Sequence, residues 1–161
     1  MTAPLQRFAV LGAGSWGTAL AVQLARRGHT VALWARDSQA IAAHEAARCN
    51  TRYLADTPWP DTLTGESDLA RAVAGADDVL VVVPSHALAD CLAALAPHLT
   101  PDQRVLWATK GLEPDTARLP HEVARAVLGD TRAMGVLSGP SFSGEVGRGL
   151  PTAVTIASEN D

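Results

Sequence analysis

Apolar runs alternate with amphipathic stretches along this sequence, and that alternation sets the order of elements it predicts. Strand-like runs fall at residues 8–11, 30–34, 78–83, 104–109, 133–137 and 152–157. Several are apolar at consecutive positions instead of every second one. A strand with water on one face alternates, so a continuous run needs both faces covered, as in a parallel sheet between two helical layers. Helical patterns lie between the runs, at about 15–27, 39–48, 66–74, 87–95 and 119–128. Strand and helix in turn predict an α/β fold with a doubly wound, mostly parallel sheet.

Local signals support the boundaries. Gly28 suits the left-handed conformation that ends a helix, Asp37 and Ser38 precede the second helix, and Pro120 fits only a first turn. Residues 50–65, with Pro58, Pro60 and Gly65, read as an irregular excursion holding one short extended piece. No internal repeat or low-complexity tract is apparent. The sequence stops at Asp161, just after a strand-like stretch and with no closing helix, which predicts a truncated architecture.

With 161 residues the chain fits one α/β domain, and 47% hydrophobic against 19% charged residues is the balance of a folded protein. A net charge of -4 without a dense Lys/Arg run argues against a nucleic-acid or anionic-membrane partner. Cys49 and Cys91 have no metal-like spacing and read as reduced thiols, so no metal site is expected. The longest apolar run, 79–84, is far short of the roughly twenty residues a membrane helix needs. Residues 1–7 leave no room for a targeting peptide, and the expected location is cytoplasmic.

Gly12-Ala13-Gly14-Ser15-Trp16-Gly17 follows the first strand and opens the first helix. In a G-x-G-x-x-G of this context, Gly12 allows a tight turn, Gly14 lets backbone approach a pyrophosphate, and Gly17 lets helix and strand pack closely. The reading is a Rossmann dinucleotide-binding domain for NADP or NAD. Ser15 and Trp16 stand at the crest of the turn, where they can line the cofactor, although Trp16 also suits packing. The second strand ends Trp34-Ala35-Arg36-Asp37: Arg36 can pair a ribose 2′-phosphate, which favours NADP, and Asp37 is either a ribose ligand or the next helix's N-cap.

The other strand ends supply further candidates. His86, after the strand 78–83, is more economically structural than catalytic. Lys110 follows the strand 104–109, and its ammonium can hydrogen-bond a substrate oxygen and stabilise charge that develops there during hydride transfer. Ser138-Gly139-Pro140-Ser141-Phe142-Ser143-Gly144-Glu145-Val146 offers hydroxyls and open backbone ahead of a short helix, suited equally to a polar ligand or to a capped proline turn.

Taken in order, residues 12–21, Leu33-Trp34-Ala35-Arg36-Asp37, Asn50-Thr51-Arg52-Tyr53-Leu54, Lys110-Gly111-Leu112-Glu113, Ser138-Gly139-Pro140-Ser141-Phe142 and Gly149-Leu150-Pro151-Thr152-Ala153 resemble the amino-terminal domain of bacterial NAD(P)-dependent glycerol-3-phosphate dehydrogenase. The resemblance implies reversible hydride transfer interconverting sn-glycerol 3-phosphate and dihydroxyacetone phosphate, which supplies the phospholipid backbone in bacteria. By position it implies that Ser15, Trp16, Arg36 and Ser143 touch NADPH, that Lys110 meets cofactor and substrate, and that Gly139 and Ser141 meet the substrate. Ser143 stands where the family commonly has alanine. It further implies a homodimer, and a helical second domain beyond residue 161 that holds the acid/base lysine, so this chain alone is expected to bind cofactor without appreciable catalysis. Alternatives are another two-domain dehydrogenase, such as a β-hydroxyacid dehydrogenase, ketopantoate reductase or 6-phosphogluconate dehydrogenase, and a non-catalytic dinucleotide sensor.

Overall fold

The computed structural model describes residues 4–158; the first and last three residues, including part of the stretch weighed for a targeting peptide, lie outside the described residues. In chain order the elements are β1 (Arg7–Leu11), α1 (Ser15–Arg26), β2 (Thr30–Trp34), α2 (Ser38–Ala47), β3 (Cys49–Asn50), β4 (Leu54–Pro58), β5 (Leu63–Glu66) and α3 (Leu69–Val73). There follow β6 (Asp78–Val81), α4 (Ser85–Leu95), a 3-10 turn at Ala96–His98, β7 (Arg104–Trp107), α5 (Pro120–Leu128), β8 (Met134–Ser138), α6 (Ser143–Arg148) and β9 (Thr155–Ser158).

Seven strands form one sheet in the order β5-β2-β1-β6-β7-β8-β9, parallel throughout except for the β8–β9 pair. The chain winds outward from β1 through β2 to β5, then returns to start again at β6 and winds the other way. That reversal leaves a crevice beyond the carboxyl ends of β1 and β6, where open α/β sheets place their ligands. Register brings Trp34, Leu11, Val81 and Trp107 level across four strands. The residues that follow them therefore emerge along one edge.

Both faces of the sheet are covered, which explains the consecutive apolar residues. Ala9, Leu11, Val79, Val81 and Val105 pack with Val73, Leu88, Leu92, Leu95 and Val123 of α3, α4 and α5. The residues between them in sequence, Val10 and Leu80, join Val31 and Leu33 against Leu20 and Val22 of α1 and Ile41 of α2. Each fully buried leucine such as Leu11 or Leu33 contributes roughly 1.5–3 kcal/mol.

Residues 50–65 depart from the expected excursion. They carry the end of β3, all of its antiparallel partner β4, and most of β5, a full edge strand paired with β2. Partners distant in sequence fix that strand. The Arg48 guanidinium donates to the carbonyls of Pro60 and Leu63 at 2.7 and 2.9 Å, and Glu45 accepts from the Gly65 N–H at 2.6 Å. Gly65 is tolerated within the strand because α2 lies against it: a Cβ there would stand 3.0 Å from Ile41 Cγ1. The third helix accordingly starts at Leu69, not at residue 66, with Asp68 accepting from the Arg71 N–H as its N-cap. The strands expected over 78–83 and 104–109 leave the ladder at Val81 and Trp107 as the chain turns into the crevice. The last strand is shifted to Thr155–Ser158 and is antiparallel. Among the described residues no helix is long and apolar enough to cross a membrane.

Candidate dinucleotide-binding site

The turn from β1 into α1 is built by backbone proximity. Gly12 adopts φ 120°, and its N–H donates to the Trp34 carbonyl at 2.9 Å. A Cβ on Gly12 would lie 2.2 Å from the Val82 carbonyl oxygen, and one on Gly17 would lie 1.9 Å from the Gly12 carbonyl oxygen. Those two glycines close the turn onto β6. At Gly14 a Cβ would meet nothing within 4 Å. Gly14 is the N-cap of α1, no side chain caps that helix, and its first turn holds no acidic residue. Open space over an uncapped helix N-terminus is a place for an anion, because unpaired amides and the helix dipole both favour negative charge. The residues present thus fit a pyrophosphate.

Beyond the turn the structure brings three of the sequence candidates together. The Lys110 ammonium donates to the Gly139 carbonyl at 3.3 Å and stands 5.9 Å from the centre of the Trp16 ring. Trp16 is half-buried, and its indole N–H is buried without a hydrogen-bond partner. Lys110 is placed by Thr109, whose hydroxyl donates to the Val83 carbonyl at 2.8 Å and ties the ends of β6 and β7 together. After Lys110 the loop is closed by Arg118, which grips Glu113 at 2.7 and 3.0 Å, while Asp115 and Ala117 take left-handed φ of 68° and 56°. Hydrogen bonds from Arg118 and Thr116 hold the Glu113 carboxyl below the usual carboxylate range.

The remaining candidates are arranged around this centre. Arg36 is exposed beyond β2, close enough to Cys91 of α4 for its charge to oppose the rise of that thiol, which burial pushes up to about 11. Asp37 is the α2 N-cap: one carboxylate oxygen accepts from the Gln39 and Ala40 N–H groups at 3.1 and 3.0 Å. Ser141 donates to the Ala153 carbonyl at 3.3 Å, which ties the loop after β8 to the approach to β9. Ser143 begins α6, and α6 packs on α1 through Gln23, which donates to the Val146 carbonyl, and Arg26, which donates to that of Gly147 at 2.6 Å. His86 is exposed on the first turn of α4.

Asn50 carries no signal of its own as a residue type. This side chain is fully buried and bonds Ala13 and Thr18 in the glycine turn while holding the backbone of Arg52 and Tyr53. Only its presence in an ordered family motif marked it.

A doubly wound sheet with a glycine turn, an open helix N-terminus and a lysine at the crevice edge defines a dinucleotide-binding domain of the dehydrogenase class. The family model described as NAD-dependent glycerol-3-phosphate dehydrogenase N-terminus matches residues 7–161, and the chain belongs to that family. It is 55% identical over 160 residues to the glycerol-3-phosphate dehydrogenase (NAD(P)+) of Edwardsiella ictaluri, covering 99% of this chain and 47% of that protein. The crystal structure of glycerol-3-phosphate dehydrogenase from Coxiella burnetii superposes with a TM-score of 0.91 at 44% identity, over 97% of this chain and 47% of the other. A ketopantoate reductase from Ralstonia eutropha reaches a TM-score of 0.64 at 30% identity, over 83% of this chain and 42% of the other. The chain spans about half the length of the curated relatives it matches.

Proposed function

We propose that this chain is the NAD(P)-binding domain of an oxidoreductase that interconverts sn-glycerol 3-phosphate and dihydroxyacetone phosphate. The observation that carries the reading is the meeting of Lys110, Gly139 and Trp16 beside the open glycine turn, within a chain of this family. Gly14 and the first amides of α1 would receive the pyrophosphate, with Gly12 and Gly17 holding the turn closed behind it. Ser15, Trp16 and Ser143 would line the cofactor, and the Arg36 guanidinium would pair the 2′-phosphate of NADP. When bound, the nicotinamide supplies or accepts the hydride that interconverts alcohol and ketone. Lys110, already aimed across the crevice, donates to the substrate oxygen and stabilises the negative charge that grows there. Gly139 and Ser141 would hold the substrate from the β8 side.

A helical second domain, outside this chain, would provide the acid/base lysine and the grip on the substrate phosphate. The same family resemblance supports a homodimer working in the cytoplasm on a small-molecule substrate.

The test is turnover by a full-length protein carrying this domain. It should reduce dihydroxyacetone phosphate with NADPH and leave ketopantoate and 6-phosphogluconate untouched. Lys110→Ala should lower kcat by about 100-fold or more while NADPH affinity changes far less. Activity that prefers another of the three substrates overturns the substrate assignment. Turnover unaffected by Lys110→Ala removes the lysine from the chemistry and favours a dinucleotide sensor.

A further inference from the structure

We infer that Asn50 is a positioning residue that aims the phosphate-binding amides of the glycine turn; the inference rests on the dinucleotide reading of that turn. Asn50 is fully buried, and all four of its hydrogen-bonding valences are in use. Its Nδ2 donates to the Ala13 carbonyl at 3.0 Å and to the Thr18 hydroxyl at 2.8 Å. Its Oδ1 accepts from the N–H groups of Arg52 and Tyr53 at 3.2 and 3.1 Å. Short-range capping does not explain the first pair, because Ala13 and Thr18 lie 37 and 32 positions away in the chain.

Peptide planarity converts these bonds into direction. In a trans peptide the carbonyl and the next N–H point to opposite sides, and the described chain holds no cis bond. Pinning the Ala13 oxygen toward Asn50 therefore turns the Gly14 N–H away from it. The following peptide is held in the same manner: the Gly14 carbonyl accepts from the Thr18 N–H at 3.0 Å, which fixes the Ser15 N–H. Thr18, itself fully buried, is the residue whose hydroxyl Asn50 grips. One side chain thus braces both peptides that flank Gly14, the glycine beside which a Cβ would find open space. Amides held in place before the ligand arrives need no reordering when it binds, and that saving appears as affinity.

The role predicts selectivity by ligand chemistry. Asn50→Asp keeps the shape and the two acceptor contacts but loses both donors, and Asn50→Ala loses all four bonds without adding charge. Calorimetric titration of the chain with NADPH and ADP-ribose should show both ligands weakened about tenfold or more in both variants, with adenosine 2′-phosphate, which has no pyrophosphate, within about twofold of wild type. Equal weakening of all three ligands, or no weakening of the two pyrophosphates, overturns the inference. Failure of the unaltered chain to bind NADPH or ADP-ribose instead overturns the dinucleotide reading beneath it. Should neither variant melt cooperatively, the unaltered chain still decides by amide hydrogen exchange. The Asn50 carboxamide protons should exchange slowly with and without NADPH, and exchange at the rate of a free amide overturns the inference.

Discussion

Gly12 and Gly17 are barred from carrying a side chain by the protein itself, whereas no described atom bars one at Gly14. A Cβ at Gly12 meets the Val82 carbonyl and requires φ 120°, a value that strains any L-residue; a Cβ at Gly14 meets open space at an ordinary φ of -74°. Gly12→Ala should therefore destabilise the fold by about 3 kcal/mol or more. Gly14→Val should cost only about 1 kcal/mol, from the poorer N-cap, while weakening NADPH at least about tenfold. Thermal melting and titration of both variants check the pair, and undiminished NADPH affinity in Gly14→Val would place the pyrophosphate elsewhere. The glycines were legible in the sequence because the turn is local, bounded by an apolar run and a helix. Asn50 was not, because a lone asparagine between turn residues looks the same whether it faces water or braces a distant loop. Lys110 was legible as a strand-end cation, but its contacts with Trp16 and Gly139 depend on three separate strands ending at one edge.

Elements with strong local signals appeared where the pattern put them. Asp37 caps α2, Pro120 sits at the start of α5, and the boundaries of β2 agree residue for residue. β5 was hidden because Leu-Thr-Gly-Glu has one strongly apolar residue, and its ordering comes from Arg48 and Glu45 of the preceding segment. The contact of α2 with the segment that follows it also sets a pH response. His44 is 6% exposed, lies edge-on to Trp59 at 6.5 Å and has Nδ1 3.3 Å from the Thr51 hydroxyl. Burial lowers its pKa, with Asp37 opposing the shift. Protonation then favours the unfolded chain, so this contribution is complete above the unfolded value of about 6.5 and is lost as pH falls through the lower folded value. The melting temperature should fall between about pH 7 and about pH 5, and His44→Gln should fall less over that interval. Parallel melting curves for the two proteins would remove His44 from the response.

For the molecule as a whole, the two-way winding of the sheet gathers candidates from across the sequence into one crevice. The apolar rhythm predicted the parallel sheet and its helical layers, since each buried strand carries its own signal. It left unstated which strands are neighbours, because the order β2-β1-β6-β7 depends on connections that periodicity does not encode. That order places the glycine turn beside the ends of β6 and β7 and leaves Arg36 exposed at the end of β2, where the adenosine ribose would lie. Binding of a pyridine dinucleotide in this crevice can be measured by calorimetric titration of the chain with NADPH and NADH, repeated on Arg36→Ala. Both should bind, NADPH the more tightly, with the preference abolished by the substitution. Equal affinities in the unaltered chain would remove Arg36 as the reader of the 2′-phosphate, and absence of binding by either dinucleotide would mean that the crevice is not a dinucleotide site.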